Sequence, residues 1–149
     1  MNTFEILASN PIINATLLAW FIAQFLKVIL VLITKKKVDF SRFIGAGGMP
    51  SSHASTVCAL AVCIARLYGY NSAQFAICFV FAVVVMYDAA GVRRAAGQQA
   101  KILNKMLDNW ETADADFIEI ELKELLGHTP VQVFFGAVIG ILIGLFANI

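Results

Sequence analysis

The 149-residue chain is 60% hydrophobic and only 14% charged, where a soluble domain carries roughly half apolar and about a quarter charged residues. Its formal net charge of +1 conceals a segregation: seven of the ten acids lie between Asp108 and Glu124, while basic residues gather at Lys35–Arg42 and Arg93–Lys105. An ordinary soluble domain is excluded, and a nucleic-acid partner is not expected, because no extended basic face is free of bilayer-grade sequence.

Taken in order, Pro11 to Ile33 reads as a first span, enough to cross about 30 Å of hydrocarbon at ~1.5 Å per residue. The ten residues before it lack a basic n-region, so it reads as a retained membrane helix and not as a cleaved signal peptide. It carries Asn14, Gln24 and Lys27. Lys27 either snorkels toward the headgroups or turns inward to a bound anion. The basic loop Lys35 to Arg42 belongs in the cytoplasm by the positive-inside rule, which puts the N-terminus outside.

The glycine run Gly45-Ala46-Gly47-Gly48-Met49-Pro50-Ser51-Ser52-His53 then breaks into a helix, with Pro50 expected at its first position. Glycines allow close approach of a ligand, and a helix start offers unpaired N–H groups and a positive dipole end to an anion. The plainer reading is a Ser-capped helix with a histidine at a wet boundary. The second span is about Ser51 to Leu67. Arg66 to Asn71 forms an interfacial turn, and the third span, about Ser72 to Tyr87, returns to the cytoplasm at Asp88. Cys58, Cys63 and Cys78 lie in apolar runs without CxxC spacing and read as small buried hydrophobes.

Val92 to Leu107 has helical periodicity, with Arg94, Gln98, Lys101 and Lys105 opposite Val92, Ala96, Leu103 and Leu107. That pattern suits a helix lying in the interface or packed under the bundle. Asp108 to Asp116 reads as a solvated acidic connector; Asp114, Asp116 and Glu119 lack the spacing of a metal site. Phe117 to Leu126 reads as a short amphipathic helix stopped by Gly127. Thr129-Pro130-Val131-Gln132 has the form of a capping box. It opens a fourth span, Pro130 to Phe146, whose Gly136, Gly140 and Gly144 suit close helix packing within the bundle or between copies. Four crossings leave both termini outside.

This topology brings His53, Asp88, Arg93, Arg94 and His128 to one membrane face. Two imidazoles and guanidinium groups beside a helix start suggest phosphoryl chemistry on a membrane-borne substrate. Arginine forks match phosphate oxygens, one histidine can attack phosphorus, and the other can protonate the leaving alkoxide. That scheme needs no metal and no cofactor.

The stretches GGMPSSH at Gly47–His53, YDAAGVRRAAGQQA at Tyr87–Ala100 and ELLGHTP at Glu124–Pro130 resemble the divergent branch of the type-2 phosphatidic acid phosphatases, the acid phosphatase/vanadium-dependent haloperoxidase-related membrane proteins. The resemblance implies that Pro50, Ser51, Ser52 and His53 stand where the superfamily has its PSGH motif, with His53 as the acid. Gly127, His128 and Pro130 resemble its GxHxPxD segment, which implies His128 as nucleophile. The chain departs from the pattern at Gln132, where the superfamily has an aspartate, and at Leu122, where it has an arginine. Arg93 or Arg94 would stand in for that arginine, and Asp88 for the carboxylate if the end of the third span packs beside His128. The first motif has a partial counterpart in Lys35 and Arg42, with Lys27 as the alternative.

The expectation is an all-α integral membrane bundle of about four transmembrane helices, a cytoplasmic amphipathic helix and a short helix before the last span. Its function is hydrolysis of a lipid phosphate at the cytoplasmic face of the cell membrane. His128 and His53 are the catalytic pair. Gly48, Ser51, Ser52, Arg93, Arg94 and Lys27 bind phosphate, and Asp88 and Gln132 support. The partners are the bilayer, a lipid phosphate, and a second copy through the Gly136/Gly140/Gly144 face. The alternatives are a non-catalytic lipid-headgroup or anion-binding protein, a small transport-related protein, and a structural protein associating through those glycines.

Overall fold

The computed structural model describes residues 2–35, 48–108 and 127–149, and among them every regular element is a helix. A short helix α1, Thr3–Ala8, is opened by a capping box in which the Glu5 amide donates to Asn2 at 2.9 Å and the Asn2 amide to Glu5 at 3.0 Å. Asn10 Oδ1 accepts from the amides of Ile12 and Ile13 and starts α2, Pro11–Lys35. Helix α3 is Ser52–Tyr68, ended by Gly69 at φ 81°. Helix α4 is Ala73–Ala90, with Ser72 Oγ accepting from the Phe75 amide. Gly91 separates it from α5, Val92–Asp108. Thr129 and Gln132 form the expected capping box at the start of α6, Pro130–Phe146.

Two stretches, Pro11–Thr34 and Ala73–Asn104, are long and apolar enough to cross a membrane; α3 and α6 are shorter apolar helices. The distribution of side-chain sizes is inverted relative to a soluble core. Buried positions are small: Ala15, Ala19 and Ala23 on α2, Ala54, Ala59 and Cys63 on α3, Ala82 on α4. Phe21, Phe25, Phe79, Val80, Phe134 and Phe146 are exposed. In water such a surface would drive aggregation. In lipid it costs nothing, and small residues are what let helix backbones approach.

Helix α3 is the hub, packed against α2, α4 and α6. It runs parallel to α6, and the three glycines of α6 sit on it in step. A Cβ added at Gly136 would overlap the Ser51 carbonyl oxygen, one at Gly140 the Ser55 carbonyl oxygen, and one at Gly144 would lie 2.8 Å from Val62 Cβ. Of the two packings expected of Gly136, Gly140 and Gly144, the one within the bundle is present: all three are buried within the chain. Ser55 Oγ donates to the Ala19 carbonyl at 3.0 Å and ties α3 to α2. At the far end Arg66 donates to the carbonyls of Gly144 and Ala147, both at 2.8 Å, satisfying acceptors that the last turn of α6 leaves open. Arg66→Ala is expected to destabilise the bundle by about 1 kcal/mol, read as a lower thermal midpoint in detergent; an unchanged midpoint would show that solvent replaces the guanidinium at no cost.

Two further expectations change. Pro50 is not helical: Ser51 is the N-cap, its Oγ accepting from the Ala54 amide at 3.4 Å, and Pro50 precedes it across a cis Met49–Pro50 bond. Helix α5 contacts only α4 among the described residues, so it is not packed under the bundle, and Val92, Ile102, Leu103 and Met106 are exposed. The acidic connector and the short helix expected at Phe117–Leu126 lie outside the described residues.

Candidate active site

Parallel packing of α3 against α6 sets two helix starts side by side. The Ser51 amide donates to the Gln132 carbonyl at 3.0 Å, and the His128 amide donates to the Ala89 carbonyl at the end of α4, also at 3.0 Å. The convergence of three helix ends expected from the topology is therefore present. Two N-termini at one point bring two positive dipole ends together, a setting that favours an anion.

His128 is 2% exposed. Its Nδ1 lies 3.1 Å from the Gly48 carbonyl oxygen and 3.2 Å from Gln132 Oε1. Gln132 Oε1 also accepts from the Thr129 amide at 3.1 Å, which fixes the orientation of the side-chain amide and turns its oxygen toward the imidazole. With only acceptors around it, Nδ1 is assigned the proton, and Nε2 carries the lone pair. Nε2 is buried and has no hydrogen-bond partner among the described residues. The His53 ring stands edge-on to it, 5.8 Å between centroids and 66° between planes.

Burial holds the His128 pKa below the ordinary imidazole value of 6.5; the hydrogen bond to Gln132 opposes this, the charges of Lys27 and His53 add to it, and the Gly48 bond opposes it weakly. The folded state thus resists a proton that the unfolded chain accepts. As pH falls through and below 6.5 this residue subtracts stability, and the loss is recovered on returning to neutral pH.

Gly48 adopts φ 84°, the left-handed region that suits glycine, and a Cβ there would press to 3.2 Å on Lys27 Cγ and Cδ. Lys27 is 1% exposed, and its Nζ donates to Gln24 Oε1 at 2.6 Å. The side chain thus turns inward: its stem runs beneath Gly48, the residue whose carbonyl faces His128.

Ser51 and Ser52 are buried at the start of α3, Ser51 acting as the cap. Asp88 does not take the aspartate's place beside His128, whose ring partners are Gly48 and Gln132. Instead it lines a cavity with Ser52 and His53. Arg93 and Arg94 are on the first turn of α5, one turn past Asp88, and their side chains, like that of Lys35 and all of Arg42, lie outside the described residues. Sequence reasoning missed the Gly48 carbonyl and Gln24. The spacing of Gln24 and Lys27, one turn apart on α2, is the signal that would have found the second.

Residues 8–143 match the family described as the Divergent PAP2 family. Among curated proteins the chain is similar to the uncharacterized membrane protein YuiD of Bacillus subtilis (strain 168), 41% identical over 151 aligned positions that cover 95% of each chain. No solved structure matches it.

Proposed function

The chain belongs to the divergent PAP2 family, a family of membrane proteins in its curated relative as in its apolar helices, and from that membership we propose that it hydrolyses a lipid phosphate with His128 as nucleophile and His53 as acid. The observation that carries the proposal is the buried Nε2 of His128, without a hydrogen-bond partner among the described residues, beside His53 at two converging helix starts. A polar nitrogen left so is costly unless a ligand completes it.

In this reading the Nε2 lone pair attacks phosphorus. An N–P bond forms as the P–O bond to the lipid alcohol breaks, and protonated His53 gives its proton to the departing alkoxide. The Gly48 carbonyl and Gln132 Oε1 accept from Nδ1–H and partly compensate the positive charge that develops on the ring. Water then attacks the phosphohistidine, His53 takes the water proton, the N–P bond breaks, and inorganic phosphate leaves. Lys27, the amides at the starts of α3 and α6, Ser51, Ser52 and Arg93 or Arg94 hold the phosphate oxygens. The four helices α2, α3, α4 and α6 cross the bilayer with both chain ends outside, and the site opens at the cytoplasmic face.

Gln132 favours a second reading, anion binding without turnover, since an amide stabilises an imidazolium less than a carboxylate does. Purified protein in mixed micelles with a lipid phosphomonoester or diphosphate separates the two: release of inorganic phosphate supports the hydrolase, and saturable binding with no release supports the alternative. The neutral imidazole places the acid limb of the rate profile below pH 6.5. Gln132→Glu keeps the capping box and sets a carboxylate beside Nδ1, which favours the charged ring. Its acid limb is expected to move to higher pH; an unmoved limb would mean that His128 does not set it.

A further inference from the structure

Between α2, α3 and α4 lies a cavity of about 540 Å³, within the ~300–1,000 Å³ range of ligand sites. Among the described residues the backbones of α2 and α4 do not pack against each other, so the cavity is a slot: α3 is its back wall, α2 and α4 its sides, and its open side faces the surroundings of the bundle. Its residues are ordered by depth. Ser52, His53 and Asp88 are at one end. Val84 and Phe81 follow one and two turns along α4, and Phe81 is seven residues, about 10 Å, from Asp88. Trp20 on α2 is likewise seven residues from Lys27 and lines the α2 side. Thr56 would interrupt the apolar wall, but its hydroxyl donates back to the Ser52 carbonyl at 2.8 Å, which leaves its methyl group for the slot.

We infer that this slot binds the hydrocarbon chain of a bilayer lipid phosphate, which enters sideways between α2 and α4 and brings its phosphate to His53. This rests on the hydrolase reading for the position of the phosphate. The occupant follows from the surroundings: a groove open to the hydrocarbon region is filled by hydrocarbon. The three polar groups at one end give that chain a direction. A water-soluble phosphate ester has no use for Trp20, Val84 and Phe81; a lipid uses them all. The chain's contacts along two helical turns would then supply binding energy that a headgroup alone lacks.

Trp20 reports on the slot directly. With Trp110→Phe leaving it the sole tryptophan, the protein is placed in phosphatidylcholine nanodiscs and titrated with a chain-brominated lipid phosphonate, which cannot be hydrolysed. Quenching is expected to saturate and to reach half-value at about tenfold lower mole fraction than with chain-brominated phosphatidylcholine. Val84→Phe, at an exposed position, is expected to raise that half-value, and KM for the lipid phosphate, by about tenfold or more, with cleavage of a short water-soluble phosphate ester unchanged. Equal quenching by the two brominated lipids overturns the inference, because the slot would then hold only boundary lipid. So does Val84→Phe slowing the soluble ester as much as the lipid. Selective quenching without phosphate release anywhere keeps the slot and removes the hydrolase; phosphate release without selective quenching does the reverse.

Discussion

His128→Ala is expected, on the proposed mechanism, to lower phosphate release by at least about a thousandfold, since the proposed nucleophile and its covalent intermediate vanish together. Loss of His53 removes only the acid, about 10²–10⁴-fold, and a substrate whose leaving group needs no proton, such as a nitrophenyl ester, should recover most of that. The same substrate should not rescue His128→Ala. Wild-type protein quenched during turnover should carry phosphate in an acid-labile, alkali-stable bond, and the His128→Ala protein none. Because the ring is buried and bonded to Gly48 and Gln132, the variant is to be compared at equal monodispersity and helix content. Full activity in a well-folded His128→Ala protein would remove the nucleophile assignment.

Gly140→Ala is the second large effect. Its Cβ would overlap the Ser55 carbonyl, and the Ser55 Cα and carbonyl carbon are within 2.9 Å. That obstacle is helix backbone, which cannot rotate away as a side chain would. The helices must separate, at a cost of about 1–3 kcal/mol for overpacking, and Ser55 is at the same time held to α2 through Ala19. The thermal midpoint in detergent should fall clearly while the oligomeric state stays as it was, because the glycine face is internal. A stable Gly140→Ala protein that changes its association state would reverse that placement. Gly136→Ala adds a functional cost: the atom in its way is the carbonyl of Ser51, the residue that caps α3 beside His53.

The helices were readable because apolar runs and caps are local properties. Thr129 and Gln132 announced the start of α6 correctly, and the alternation of helix direction along the chain was enough to bring His53, the end of α4 and His128 to one end of the bundle. What one strand of sequence cannot carry is the choice among neighbours. The every-fourth-residue glycines fitted a partner inside or outside the chain equally well, and the Ser51 and Ser55 carbonyls that fill their hollows lie some eighty residues away. Lys27 near the end of an apolar run is ambiguous for the same reason, as its direction depends on where Gly48 lies. Asp88 was placed at the right end of the right helix, but the rotation of α4 sends it to the slot and not to His128. Gln132 seemed a lost aspartate; its double use, as cap and as imidazole acceptor, emerges only when Gly48 arrives from the other side.

The parallel seating of α6 on α3 also bears on how the protein is made. The ribosome delivers α3 some eighty residues before its principal partner, with Ser51, Ser52 and Ser55 still uncovered. Until Gly136, Gly140 and Gly144 close over that face, the imidazole at position 53 stands without the second imidazole and the neighbouring helix start beside it. A chain that stops before His128 therefore lacks the second imidazole as well as α6, and the paired helix starts form only when the last helix is in place.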